Sequence, residues 1–258
     1  MASPNETIAM QNLPSSTSPL LQVMAYAAVP IVAAVVGAAI AAYRRPGSTM
    51  RSHIQHLAAG VVFSVVAVEI LPDVVHRQSP WLLVLGFSLG VAAMLALEHF
   101  AGSAEQEGES AGSARHTALF ASVGIDVFLD GLLIAIGFGA GGSAGVLLTV
   151  ALAVELLSMG LALSATLGAA GMKAARIVAV SAGVFSLLAL GAIAGAWLMP
   201  LLPGAALDVI LAFGLAALLF LVTEQLLVEA HKEEETPLST VLFFVGFLAF
   251  LLLGMEAA

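Results

Sequence analysis

The sequence predicts an all-α membrane protein with eight transmembrane helices. Of its 258 residues, 60% are hydrophobic and only 10% are charged, whereas a soluble globular protein has about 25% charged residues. The mean hydropathy of +1.06 is typical of a chain that lies largely within a bilayer. Apolar runs of the length that a spanning helix requires, about 20 residues, follow one another with short connections. No connection is long enough to form a separate soluble domain.

Breaks marked by proline or glycine divide the chain into eight predicted spans, α1 to α8. They cover residues 21–43, 54–75, 80–100, 116–139, 143–170, 174–199, 204–230 and 237–254. Residues 1–20 are polar and lack a basic segment, which predicts a flexible extracytoplasmic tail rather than a cleaved signal peptide. The transmembrane domain is therefore expected to cover residues 21–258.

Basic residues fall almost entirely on one side of this topology, which we call the basic face. Only Arg77 falls on the opposite side, while the basic face receives Arg44, Arg45, Arg51, Arg115, Lys173, Arg176 and Lys232. Such residues concentrate on the cytoplasmic side of membrane proteins, so both termini are expected outside the cytoplasm. The short loops and the absence of cysteine favour a bacterial inner membrane.

The charge balance points to cations rather than to nucleic acid as partners. The chain has 17 Asp and Glu residues against 8 Lys and Arg residues, and an acidic protein repels phosphate backbones. Residues 101–115, which include three glutamates among glycine and serine, are predicted to form a disordered cytoplasmic linker. Glycines within the spans are expected to bring helices close together, and they also permit a homodimer. They are Gly131, Gly137, Gly160, Gly183, Gly191 and Gly195.

Five acidic residues lie well inside the predicted spans. Asp126 and Asp130 share one face of α4, and Glu69, Glu155 and Glu224 lie in α2, α5 and α7. An ionised side chain at the centre of a bilayer costs at least about 2.5–3.5 kcal/mol. No lysine or arginine accompanies them, so either they are protonated or a cation lies among them. Protonated acids can also join helices by hydrogen bonds, but five acids on four helices favour ion handling.

Histidines lie near the ends of the spans. His53 and His56 are one turn apart at the basic face. Two histidines at a helix end are more typical of interfacial side chains than of a metal site.

Four short motifs lie within the spans. Residues 126–131 of α4 read Asp-Val-Phe-Leu-Asp-Gly, and residues 155–160 of α5 read Glu-Leu-Leu-Ser-Met-Gly. Residues 69–72 of α2 read Glu-Ile-Leu-Pro, and α7 carries Glu224 followed by Gln225. With eight spans and external termini, the chain resembles the ZIP (Zrt/Irt-like) family of metal transporters. That family carries His-Asn-x-Pro-Glu-Gly in helix four, His-x-x-x-Glu-Gly in helix five and often His-x-Leu-Pro in helix two.

The resemblance implies a transporter of zinc, manganese, iron(II) or a similar divalent cation that works by alternating access. It also implies two inverted three-helix repeats, α1–α3 and α6–α8, with α4 and α5 sandwiched between them and a metal site near the midplane. Asp126, Asp130 and Glu155 would form that site, with Glu69 and Glu224 within reach. The second metal position of the family is missing, since apolar or uncharged residues replace its ligands and their neighbours. These are Val127, Leu156, Met159 and Ser186.

Two other functions compete with metal transport. The chain would be a relative that has lost transport if its acids only relay protons or join helices. An intramembrane hydrolase would need two aspartates on facing helices or a His-Glu-x-x-His motif. The motif is absent, and Asp126 and Asp130 share one helix, so we expect no enzymatic activity. No cofactor is expected apart from the transported cation, and the only other expected partner is the lipid bilayer.

Overall fold

Eight helices long and apolar enough to cross a membrane make up the part of the chain that the structure describes. The structure is a computed structural model that describes residues 19–44, 46–107, 112–140, 142–231 and 236–257, and these residues contain no strand. The all-α, eight-helix prediction is confirmed. The helices are α1 (Pro19–Tyr43), α2 (Ser48–His76), α3 (Pro80–Glu107), α4 (Gly112–Ala140), α5 (Gly142–Ala169), α6 (Ala174–Leu201), α7 (Gly204–Ala230) and α8 (Pro237–Ala257).

The acidic segment between α3 and α4 differs from its prediction. Helix α3 continues to Glu107 and α4 begins at Gly112, so the expectation of disorder is wrong for residues 101–107 and 112–115. Alanine, glutamate and glutamine favour helix, and five of the seven residues 101–107 are of these types, which extends α3 beyond its apolar span. The remaining residues of the segment, 108–111, lie outside the described residues, as do residues 1–18 of the predicted tail.

Four helix pairs make the most extensive contacts: α1 with α5, α4 with α6, α2 with α8, and α3 with α7. In each pair a glycine of one helix faces a backbone carbonyl of the other, so closely that a β-carbon would collide with it. Small residues allow membrane helices to approach in this way. The four contacts are Gly160 with Ala34, Gly191 with Phe128, Gly60 with Phe243, and Gly86 with Val209.

The contacts divide the helices into two bundles. Helices α1, α4, α5 and α6 form one bundle, which we call the site bundle, and α2, α3, α7 and α8 form the other, which we call the frame bundle. The bundles touch chiefly where α2 meets α5 and α3 meets α4. The four close pairs fit the expected inverted repeats, in which α1–α3 correspond to α6–α8 and α4 corresponds to α5. Under this correspondence the pair α1–α5 matches the pair α6–α4, and the pair α2–α8 matches the pair α7–α3.

A π-helical segment interrupts both α2 and α7. The segments are Val66–Ile70 and Leu221–Leu226, and each contains an acidic residue, Glu69 or Glu224. Helix α2 ends at His76, and His231 directly follows the last residue of α7, so each histidine comes seven residues after that glutamate. This equal spacing further supports a repeat relationship between the two helices. Short π-helical segments often mark functional sites.

Candidate metal centre

Three acidic side chains converge between α4 and α5. Asp126 and Asp130 of α4 and Glu155 of α5 each offer a carboxylate oxygen, and these oxygens all lie within 4.8 Å of one another. The side chains are buried, with exposures of 7%, 3% and 1%. The close spacing of the two helices, which follow each other directly in the chain, places acids from both at a single point.

Two of the three acids have buried carboxylate oxygens without a hydrogen bond. Both carboxylate oxygens of Glu155 and Oδ2 of Asp130 are buried without a hydrogen bond. Arg77, just after α2, makes its ion pairs with Asp73 and Asp208, and no described lysine or arginine pairs with an acid of the cluster. A buried, unpaired carboxylate is costly. The cluster therefore requires protons or a cation.

Two glycines fix the helices that carry these acids. Gly131 follows Asp126 by five residues and faces the Leu188 carbonyl of α6, while Gly160 follows Glu155 by five residues and faces the Ala34 carbonyl of α1. Because the spacing is equal, Asp126 and Glu155 occupy corresponding positions if α4 and α5 are related by the repeat. The cluster is thus held by backbone contacts within the site bundle.

A cavity of about 380 Å³ leads from Glu155 towards the basic face. It lies between α5 of the site bundle and α2, α3 and α7 of the frame bundle. Its polar lining includes Gln55, Glu98, Glu155, Ser158, Glu224, Gln225 and Glu229. Since Gln55, Glu98 and Glu229 lie near the basic-face ends of their helices, this polar route joins the cluster to that face.

Another cavity between the bundles, formed by α4, α6 and α7, has an apolar character. It has a volume of about 250 Å³, and its lining from α4, α6 and α7 is entirely apolar, with Leu129, Met199, Ile210 and Phe213 among its residues. It lies towards the face opposite the basic face, since Met199 is in the last turn of α6 and Ile210 is in the second turn of α7. Water and ions are therefore less favoured in this cavity than in the polar cavity on the basic-face side.

The structure brings together three of the five acids that the sequence singles out. Glu224 lines the polar cavity but is not part of the three-acid cluster. Glu69 lies at α8, where a β-carbon on Gly254 would be 3.7 Å from its Oε1. Because α2 pairs closely with α8, Glu69 lies beside α8 and is not part of the three-acid cluster. The expectation that Glu69 and Glu224 reach the metal stays a prediction.

Three residues that line the polar cavity are not among the five acids that the sequence singles out: Gln55, Glu98 and Glu229. Gln55 is buried together with Ser52 and His56 near the start of α2. These three polar residues share one helix face, and that pattern is the sequence signal for Gln55.

No family model matches the sequence, and the comparison with curated proteins finds no match. The function is therefore argued from the three-acid cluster and the cavity beside it.

Proposed function

We propose that the protein is a divalent-cation transporter, a divergent relative of the ZIP family, whose ion binds to Asp126, Asp130 and Glu155. The observation that carries this proposal is the convergence of three buried acids that lack basic partners among the described residues.

The spacing of the carboxylate oxygens suits one ion. Oxygen ligands lie about 2.0–2.6 Å from magnesium, manganese or calcium, so ligands on opposite sides of an ion are about 4–5 Å apart. The oxygens of the cluster fall within that separation. An all-oxygen site prefers hard ions such as manganese, magnesium or iron(II) over ions that favour nitrogen and sulfur, although zinc also binds carboxylates.

The division into two bundles supports a route for transport. The ion ligands belong to the site bundle, while Gln55 and Glu224 on the frame bundle line the polar cavity. A displacement of one bundle against the other would close this cavity and open the apolar one on the opposite side, which is alternating access. We place the basic face in the cytoplasm and the protein in a bacterial inner membrane, following the distribution of its basic residues.

Metal uptake into proteoliposomes tests the proposal. Manganese, iron(II) and zinc uptake would be compared for the wild type, Asp126→Asn and Glu155→Gln, with Glu256→Gln as the matched control. Glu256 is exposed near the end of α8, so its substitution removes a carboxylate without touching the cluster. We expect Asp126→Asn and Glu155→Gln to lower uptake at least about 10-fold, because each removes a charged ligand from an ion held by three. Uptake equal to that of the control in both variants would refute the proposal.

A proton relay without metal transport is the second candidate. The observation that favours it is the apolar packing beside the acids, where Val127 and Leu156 are fully buried, since protonated acids need few polar neighbours. Calorimetric titration of the purified protein with manganese and zinc separates the two functions. Heat of binding that Asp126→Asn abolishes supports metal transport, whereas no binding together with proton flux across liposomes supports the relay.

A further inference from the structure

Two histidines meet at the basic face, where α2 begins and α7 ends. The ring centroids of His56 and His231 are 5.3 Å apart, and the rings are inclined by 56°. His56 is only 4% exposed, while His231 is exposed to the surroundings. The hydroxyl of Ser52, one turn before His56, donates to the carbonyl of Ala230 at 2.9 Å. This bond ties the two helix ends together and keeps the rings adjacent.

Backbone carbonyls determine which nitrogen of each ring carries the proton. Nδ1 of His56 lies 2.9 Å from the carbonyl oxygen of Ser52, and Nδ1 of His231 is hydrogen-bonded to the carbonyl oxygen of Leu227. A carbonyl oxygen only accepts, so each Nδ1 must be the donor. In a neutral imidazole the lone pair then lies on Nε2. Histidine ligands of metals are oriented in this way, with the second nitrogen donating to a carbonyl or carboxylate.

The separation of the rings is that expected for two ligands of one metal ion. With a metal–nitrogen bond of about 2.1 Å and a tetrahedral angle, two imidazoles bound through Nε2 have centroids about 5 Å apart. The observed centroid separation is 5.3 Å, so the two helix ends already hold the rings at the distance that a shared ion requires.

We propose that His56 and His231 form a second metal site, which binds a transition-metal ion such as zinc, copper(II), nickel or cobalt through Nε2 of both rings. Nitrogen donors select these ions over magnesium and calcium, and water completes the coordination. The site belongs to the frame bundle and lies beyond Gln55 and Glu229 of the polar cavity, so it is separate from the carboxylate cluster. It does not depend on the proposed transport function.

The chain supplies a matched control. Nδ1 of His76 lies 2.7 Å from the carbonyl oxygen of Pro72, four residues earlier, which is the same local bond that His56 and His231 make. His76 lies at the other end of α2, about 30 Å from His56 along the helix. It therefore tests whether a single histidine with this bond binds metal.

Electron paramagnetic resonance with copper(II) is the decisive experiment. The purified full-length protein, without a polyhistidine tag, would be given one equivalent of copper(II) in detergent. Coupling to nitrogen reports imidazole ligands, and the carboxylate cluster provides only oxygen ligands. We expect coupling to two nitrogens in the wild type, in His76→Ala and in Asp126→Asn. In His56→Gln and His231→Ala we expect it to be reduced to one nitrogen or lost, with copper affinity lowered at least about 10-fold.

Two results would overturn the site: no nitrogen coupling in the wild type, or unchanged two-nitrogen coupling in both His56→Gln and His231→Ala. Because His231 is exposed, its substitution keeps the test valid if a change at the buried His56 prevents folding. If Asp126→Asn loses transport but keeps the nitrogen coupling, the histidine site binds metal independently of the carboxylate cluster. Each of the two proposals can therefore fail without the other.

Discussion

Replacement of Gly131 by alanine is expected to force α4 and α6 apart. A β-carbon at this position would collide with the Leu188 carbonyl oxygen and would lie 2.7 Å from the Ala192 nitrogen, whereas ordinary contacts begin at 3.4 Å. Both obstacles are backbone atoms, which cannot rotate away as a side chain can. The Leu188 oxygen is the nearer obstacle, so the helices must separate by about 1 Å to accommodate one methyl group.

Such a separation weakens both packing and the metal site. A gap of roughly 0.5–1 Å forfeits a quarter to a half of the dispersion energy of each contact across it, and overpacking of this kind costs about 1–3 kcal/mol. Asp130 precedes Gly131 directly and moves with it. Metal–ligand distances tolerate only about 0.2 Å of error, so we expect the affinity of the cluster for manganese or zinc to fall about 10-fold or more.

Two other glycine variants provide the comparison. A β-carbon at Gly183 of α6 meets nothing within 4 Å, and one at Gly124 of α4 meets only the Leu187 side chain, at 2.8 Å. Thermal unfolding in detergent should give Gly183→Ala a midpoint at or above that of the wild type, since alanine favours helix over glycine. Gly124→Ala should be intermediate, and Gly131→Ala lowest. Equal midpoints for Gly131→Ala and Gly183→Ala would refute the packing argument.

Three further predictions concern the frame bundle and the pH. Gly60→Ala should lower the unfolding midpoint without abolishing metal binding, because its β-carbon would meet the Phe243 carbonyl of α8, away from the cluster; an unchanged midpoint would contradict this. Partial burial by itself would lower the pKa of Arg77. Its hydrogen bonds and charge interactions with Asp208 and Asp73 are stronger than this effect, so the pKa of Arg77 is raised above its ordinary value. Arg77→Gln should therefore destabilise the protein by about 1 kcal/mol, measured by thermal unfolding at pH 7, and Asp208→Asn should not add to the loss. Metal binding to the cluster should weaken as the pH falls, because protons compete for the same carboxylates; calorimetry at pH 5.5 and 7.5 that gives equal affinities would argue against a carboxylate site.

The number of helices and several of their first residues were predictable from the sequence, because spanning length and helix breakers are strong local signals. The start of α2 and the end of α3 were not, since both helices continue beyond their apolar spans. Pro80, Gly204 and Pro237 begin their helices at the predicted positions. The cluster was also largely predictable, since an acid in an apolar span is rare enough to mark a site by itself. Asp126, Asp130 and Glu155 do meet.

The arrangement of the helices was less accessible, because a membrane helix that is apolar on all sides gives little indication of which face meets a neighbour. Gly131, Gly160 and Gly191 face neighbouring backbones as expected, but Gly183 faces open space. The same ambiguity explains Glu69, whose position depends on the pairing of α2 with α8. The contact of His56 with His231 joins residues far apart in the chain, which no local pattern reveals.

The consecutive placement of α4 and α5 has a consequence for the synthesis of the protein. Each acid would cost about 2.5–3.5 kcal/mol if its helix entered the bilayer alone and ionised. Gly142 begins α5 two residues after α4 ends, so the two helices can leave the insertion machinery as one hairpin, with their acids facing each other instead of lipid. The most unfavourable side chains of the protein can thus share a proton or an ion before α6, α7 and α8 have been made.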